Sequence, residues 1–182
     1  AAYSKLLGDY GGSDLALGAM LGLADLYAVQ GRSEDAIDLY RRMIAKYPGE
    51  AEAGSAQKRI GDVLRGQKKY EEALLAYQAV LSVRDWRGPL WPESLFRIGE
   101  CHRSQERHEE AFAYFQRIYV LYENYVPWMA KAYIAGAECL EKLGREKEAV
   151  RHYEEMLARP ELRNSSEVKI ADEALKRLGR TS

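Results

Sequence analysis

Cysteine is scarce in this chain, with Cys101 and Cys139 the two among 182 residues. They stand 38 residues apart. If that spacing is a structural repeat, they occupy equivalent places on successive helices, roughly 10 Å from each other. A disulfide needs Cα atoms within ~7 Å, so both are expected to be small buried residues. Long apolar runs are missing too. Nothing approaches the ~20 residues that cross a bilayer, and no direct membrane insertion is expected. The N-terminus has neither the basic start nor the apolar core of a secretory leader. Charge of one sign is not in excess: 27 Lys and Arg face 28 Asp and Glu, for a net charge of −1. That balance excludes a general nucleic-acid binder, which needs a basic surplus to release counterions.

Histidine is limited to His102, His108 and His152, without HExxH or paired spacing. His102 is expected to replace a buried aromatic, and the other two to flank helices. A zinc site from Cys101, His102 and Cys139 would lack a fourth ligand and a CxxC. Cys101 and His102 as a nucleophilic dyad fail on geometry, because adjacent helical residues point ~100° apart. Gly11 and Gly12 follow no strand pattern, so they are no phosphate loop. No catalytic residue, metal or cofactor is expected. No segment alternates with period two over strand length, which leaves an all-helical reading.

What the chain does have is a repeat. In Gly31–Pro48 (GRSEDAIDLYRRMIAKYP) a turn glycine precedes an amphipathic run, with Ala36, Ile37, Tyr40, Met43 and Ile44 at helical spacing. Ala36 and Tyr40 return as Ala73 and Tyr77, Ala111 and Phe115, and Ala149 and Tyr153, at steps of 37, 38 and 38 residues. A fixed period of this length means stacked helical pairs, since no pair can bury its apolar stripe alone. The expected organisation is one array over 1–182. It comprises a half repeat at 1–12, whole repeats at 13–50, 51–87, 88–125 and 126–163, and a capping helix at 165–179. Tyr3, Leu7 and Tyr10 carry the half repeat, which reads as the back half of a unit in a longer array. With Leu6 they leave an apolar edge, and a homodimer through it is expected. Ser13, Ser33 and Ser165 are placed as helix N-caps. Asp85–Pro92 is the long irregular connection, with Trp86 and Trp91 expected to cover a seam or else to form an exposed binding patch.

Met20, Leu23, Ala24, Tyr27, Gly31, Ala36, Tyr40 and Pro48 together resemble the tetratricopeptide repeat. The likeness recurs four times over essentially the whole chain. Gln57 departs from it in place of a large residue, His102 in place of an aromatic, and Gly66 and Lys68 blur the second turn. The period also exceeds the commonest family length of about 34. The resemblance implies an all-α superhelix of paired helices. In it Ala24, Gly61, Gly99 and Ala137 are small where the helices touch. Similar lengthened repeats occur in bacterial envelope and assembly proteins, which points towards the periplasm or cell envelope.

In that family the first helix of each pair lines a groove for peptides or partner proteins. The corresponding stripe here reads Leu21, Asp25 and Ala28; Lys58, Asp62 and Arg65; Phe96, Glu100 and Arg103; then Ile134, Glu138 and Glu141. Asp25, Asp62, Glu100 and Glu138 make an acidic rung in every repeat. A carboxylate row favours a basic or polar peptide, with Leu21, Phe96 and Ile134 as apolar anchors and Lys58, Arg65 and Arg103 setting register. The competing reading has the acids pairing with neighbouring Lys and Arg and doing no more than keeping the groove wet. The Asn positions of the family's carboxylate clamp are acidic here, which argues against that role. The resemblance thus implies a non-catalytic protein-interaction module, with a structural spacer in a larger scaffold as the alternative.

Overall fold

The computed structural model describes residues 14–179, with side chains from residue 16. The chain is all-α: the described residues form nine α-helices and no strand. It divides into two compact units, residues 1–94 and 95–182. The first contains α1 (Asp14–Val29), α2 (Ser33–Lys46), α3 (Ala51–Gly66) and α4 (Tyr70–Ser82). Helix α5 (Leu90–Ser104) runs across the boundary. The second unit continues with α6 (His108–Leu121), α7 (Val126–Lys142), α8 (Glu146–Ala158) and α9 (Glu167–Arg177).

Within the first unit α1 packs on α2, α2 on α3 and α3 on α4. Small residues sit where large ones must fit. Ala24, Ala36 and Ala73 are fully buried, as are the Tyr40 and Tyr77 rings. A Cβ at Gly61 would lie 2.5 Å from the Tyr77 ring, so the glycine is there because the aromatic occupies its side-chain space. Trp86 lies over Gly54, packs with Ala53 and Val80, and donates its indole N–H to the Pro48 carbonyl at 3.0 Å. It therefore seals a seam, as its spacing suggested, and is buried rather than a binding patch. Trp91 is partly buried against the same cluster.

The second unit repeats the logic. A Cβ at Gly99 would lie 2.5 Å from the Phe115 ring, and Ala111, Ala137 and Ala149 are fully buried. Cys101 and Cys139 are buried and outside any disulfide, and burial pushes the Cys139 thiol up to about 11. His102 is buried and stacks on Tyr114 at 5.2 Å, so it does take an aromatic's place.

The helix ends differ from expectation. Ser33 is not a cap but the first helical residue of α2. Arg32 holds the cap position without a side-chain capping bond and instead ties the Asp35 carboxylate in the first turn at 2.7 Å. At the C-terminus the cap position of α9 falls to Ser166, also without a capping bond, and the buried Ser165 hydroxyl has no partner. The reason is the preceding turn. The Arg32, Lys69, Arg107 and Arg145 amides each donate back five residues, to Tyr27, Leu64, His102 and Leu140, at 2.9–3.0 Å. This closure requires a left-handed residue just before each. Gly31 and Gly144 supply it freely, whereas Lys68 and Glu106 adopt φ of 60°.

The irregular connection is also shorter than expected. A 3₁₀ turn fills Arg84–Trp86, and Pro92 falls inside the first turn of α5, where its missing N–H costs nothing. Ser13, the half repeat with Tyr3, Leu6, Leu7 and Tyr10, and the dimer edge assigned to it lie outside the described residues.

Candidate protein-interaction surface

The expected site lies on the first helix of each pair. In the first unit α1 and α3 bring Asp25 and Asp62 to one open cavity of about 460 Å³. Ala28, Val29, Tyr40, Arg59 and Val63 also line it. Each carboxylate has a defined holder. The Tyr40 hydroxyl donates to Asp25 at 2.5 Å, and Arg59 pairs with Asp25 at 2.9 Å. The Tyr77 hydroxyl donates to Asp62 at 2.8 Å, and Lys58 reaches Asp62 at 3.2 Å. Most buried phenols find an acceptor, and the residue fifteen positions earlier provides one in both repeats. Burial first, then the bond to the carboxylate, pushes both phenols far above their ordinary range. The two aspartate side chains are nevertheless 30% exposed.

Lys58 also bonds Glu93 at 2.9 Å, so it bridges two acids. Leu21 is half-buried on α1. Arg65 lies close enough to Tyr77 to favour its ionised form.

In the second unit the pattern shifts. Phe115 has no hydroxyl to offer Glu100, which pairs with Arg103 at 2.6 Å; the other arm of Arg103 holds Glu138, also at 2.6 Å. Tyr153 donates not to Glu138 but to Glu141, one helical turn on, at 2.8 Å, and Arg177 pairs with Glu141 at 2.7 Å. Burial pushes the Glu141 carboxyl up, but the bonds from Arg177 and Tyr153 outweigh it and hold the group below the usual carboxylate range. Arg103, Glu138, Glu141, Lys142 and Arg177 line an open cavity of about 660 Å³.

Two expected anchors are not exposed ones. Ile134 is 7% exposed and belongs to the core. Phe96 is half-buried between Phe115 and Trp128, with ring centres at 5.2 and 5.5 Å. Apolar exposure falls instead at Val29, 86% exposed at the rim of the first cavity. The tyrosine–carboxylate bonds went unforeseen in the sequence, although the constant fifteen-residue offset of Asp25–Tyr40 and Asp62–Tyr77 was there to be read. Among the described residues no group of three or more His, Cys, Asp or Glu side chains could hold a metal ion.

Paired helices with a small residue under an aromatic, at Gly61 and Tyr77 and again at Gly99 and Phe115, agree with comparison against known families. A tetratricopeptide repeat model matches residues 1–51, and a second model of the same description matches residues 91–161. The chain belongs to the tetratricopeptide repeat family. Such repeats generally mediate protein–protein interactions and are typically non-catalytic. Among solved structures, aspartyl phosphate phosphatase F from Bacillus subtilis is similar with a TM-score of 0.79 and 20% identity, over 97% of this chain and 48% of that one. MamA is similar with a TM-score of 0.65 and 18% identity, over 93% and 87%. Nearly identical repeats from a putative kinesin light chain of Podosopora anserina give 0.64 and 16%, over 88% and 87%. At these identities the likeness concerns the fold alone. No curated protein matches the chain. No described helix of this repeat protein is long and apolar enough to cross a membrane.

Proposed function

We propose that the first-helix face of this tetratricopeptide repeat protein docks an extended segment of a partner protein, and that the first unit takes a basic side chain. The supporting observation is the cavity bounded by the part-exposed Asp25 and Asp62: with Glu93 they are three carboxylates held by two cations, Arg59 on Asp25 and Lys58 shared between Asp62 and Glu93. Val29 and Val63 on its wall offer apolar contact beside the charge. A partner Arg or Lys next to a Leu or Val fits that combination, displacing Arg59 from Asp25 without disturbing the bond from Tyr40.

The test is fluorescence anisotropy with arginine–leucine and glutamate–leucine heptapeptides against wild-type protein and the Asp25→Asn/Asp62→Asn double variant. Asn keeps an acceptor for each tyrosine, so the fold survives while the charge goes. The basic peptide is expected to bind wild type and to lose at least tenfold in the variant. Equal binding to both proteins, or no preference over the acidic peptide, overturns the assignment.

A second reading is a spacer whose face holds no ligand. It draws on the pairing of Asp25, Asp62, Glu100 and Glu138 with cations of their own chain. Failure of both peptides to bind at millimolar concentration favours it.

A further inference from the structure

The second helices follow a charge rule. Each begins just after a basic residue, Arg32, Lys69, Arg107 or Arg145, and in three of them the second residue is acidic: Glu34, Glu71 and Glu109. In the second unit these two positions meet across neighbouring repeats, since Arg145 pairs with Glu109 at 3.3 Å. One turn further in, Phe112 touches His152 of α8, with ring centres 5.7 Å apart. An acid and an apolar residue on one second helix thus receive the next.

At α8 the sign reverses. Lys147 stands where earlier repeats have Glu34, Glu71 and Glu109, and Arg151 where they have Asp38, Leu75 and Ala113. Val150 keeps the apolar place of Phe112. These three, with Glu146 and the half-buried Leu178 at the end of α9, line an open cavity of about 360 Å³. Lys147 and Arg151 are exposed, and neither is in a salt bridge with a described residue. The neighbouring Glu148 is already held by two nitrogens of Arg145. Even with Glu146 counted, the lining carries one net positive charge, whereas the matching residues of each earlier repeat carry one or two net negative ones.

A further repeat of this chain's own kind does not fit there. Its leading base would face Lys147, where Arg145 faces Glu109. Its ring would also meet a charge. Seven residues before each left-handed turn residue stand Ala24, Gly61, Gly99 and Ala137, but before Gly179 stands Asp172. At Gly61 and Gly99 the missing side chain is what admits Tyr77 and Phe115.

We propose that this flank of α8 docks an amphipathic helix of a partner protein, one whose first turn is acidic. Two carboxylates in that turn reach Lys147 and Arg151 and also suit the partner's own helix dipole. A Leu or Val one turn on lies over Val150 and Leu178. Uncompensated cations attract an acid and repel a base, so the charge rejects another repeat as well as selecting the partner. The surface is separate from the face of α1 and α3, so its test stands or falls alone.

That test uses two helical peptides of about 15 residues with the same leucine stripe, one opening on two glutamates and the other on two lysines. Each is titrated into the intact protein, and methyl NMR of Val150 and Leu178 reads the site itself. The acidic peptide is expected to shift both methyls saturably, with at least tenfold higher affinity than the basic one. Lys147→Glu/Arg151→Ala, which restores the earlier pattern at exposed positions, should reverse that preference. Asp25→Asn/Asp62→Asn should leave it unchanged. Equal affinity for the two peptides, no shift of either methyl up to millimolar concentration, or an unchanged preference in Lys147→Glu/Arg151→Ala overturns the proposal. So does self-association of the protein that the same variant abolishes, which assigns the surface to a second copy.

Discussion

Burial lowers the His152 imidazole to about 4, against an ordinary value of 6.5. Above pH 6.5 the folded and unfolded chains both hold this group neutral, and pH has no leverage through it. Between about 6.5 and 4 the unfolded chain takes up a proton that the folded one refuses, so stability falls as pH falls. Across that window the loss is about 3 kcal/mol. Urea denaturation at pH 7 and pH 4.5 should show most of it, and His152→Phe should flatten that part of the profile. Glu141 acts at lower pH. Its carboxyl is held below the ordinary range, so its contribution is present above that range and is lost only as acid protonates it.

Two other residues carry a backbone cost. Lys68 and Glu106 sit in the left-handed region that Gly31 and Gly144 fill at equivalent turns. Replacing either with glycine should stabilise the protein by roughly 0.5–1 kcal/mol, the relief of strain exceeding the entropy glycine adds to the unfolded chain. Lower stability of both variants in urea would contradict this account of the turns.

At the level of helices, the contact that matters is ring on glycine. Gly61→Ala drives a methyl into Tyr77 and Gly99→Ala drives one into Phe115, and each should cost about 1–3 kcal/mol as the pair is forced apart. Gly66→Ala makes a control: its Cβ meets nothing within 4 Å and should be neutral or mildly stabilising. This pairing is why the architecture was legible. Ala36 with Tyr40, and its three echoes, record in sequence a packing rule that tolerates few other residues. The rungs were legible as positions, because i, i+4 spacing places Asp25 or Asp62 on a face without knowledge of neighbours. Their holders were not, because the bond from Tyr77 to Asp62 depends on how two helices sit. Glu141 taking the place of Glu138 beneath Tyr153 shows how one turn of difference escapes a pattern. The caps were misread for a related reason. Ser33 looks like a cap locally, but the five-residue closure through Gly31 and Arg32 already satisfies the end of α1 and starts α2 one residue earlier.

At the scale of the whole molecule, each unit ties its successive repeats with ion pairs on one face. Arg59–Asp25 and Lys58–Glu93 do so in the first, and Arg103–Glu138 and Arg177–Glu141 in the second. Exposed pairs of this kind contribute little each, ~0–1 kcal/mol. Stability in urea should therefore change by no more than a few kcal/mol between 10 mM and 1 M salt. Affinity for a basic peptide should fall steeply over the same range, since exposed attraction is screened within about 10 Å at 0.1 M. The fold rests on buried rings and the proposed docking on charge, so salt should separate them.

The claim at the centre of this account is that the partner docks on the face of α1 and α3 around Asp25 and Asp62. Methyl NMR of the protein with an arginine–leucine peptide tests it most directly. The Val29 and Val63 methyls should shift and show contacts to the peptide, while Val120 and Leu121, exposed elsewhere on the chain, stay in place. Contacts confined to Val120 and Leu121, with Val29 and Val63 unmoved, would contradict it.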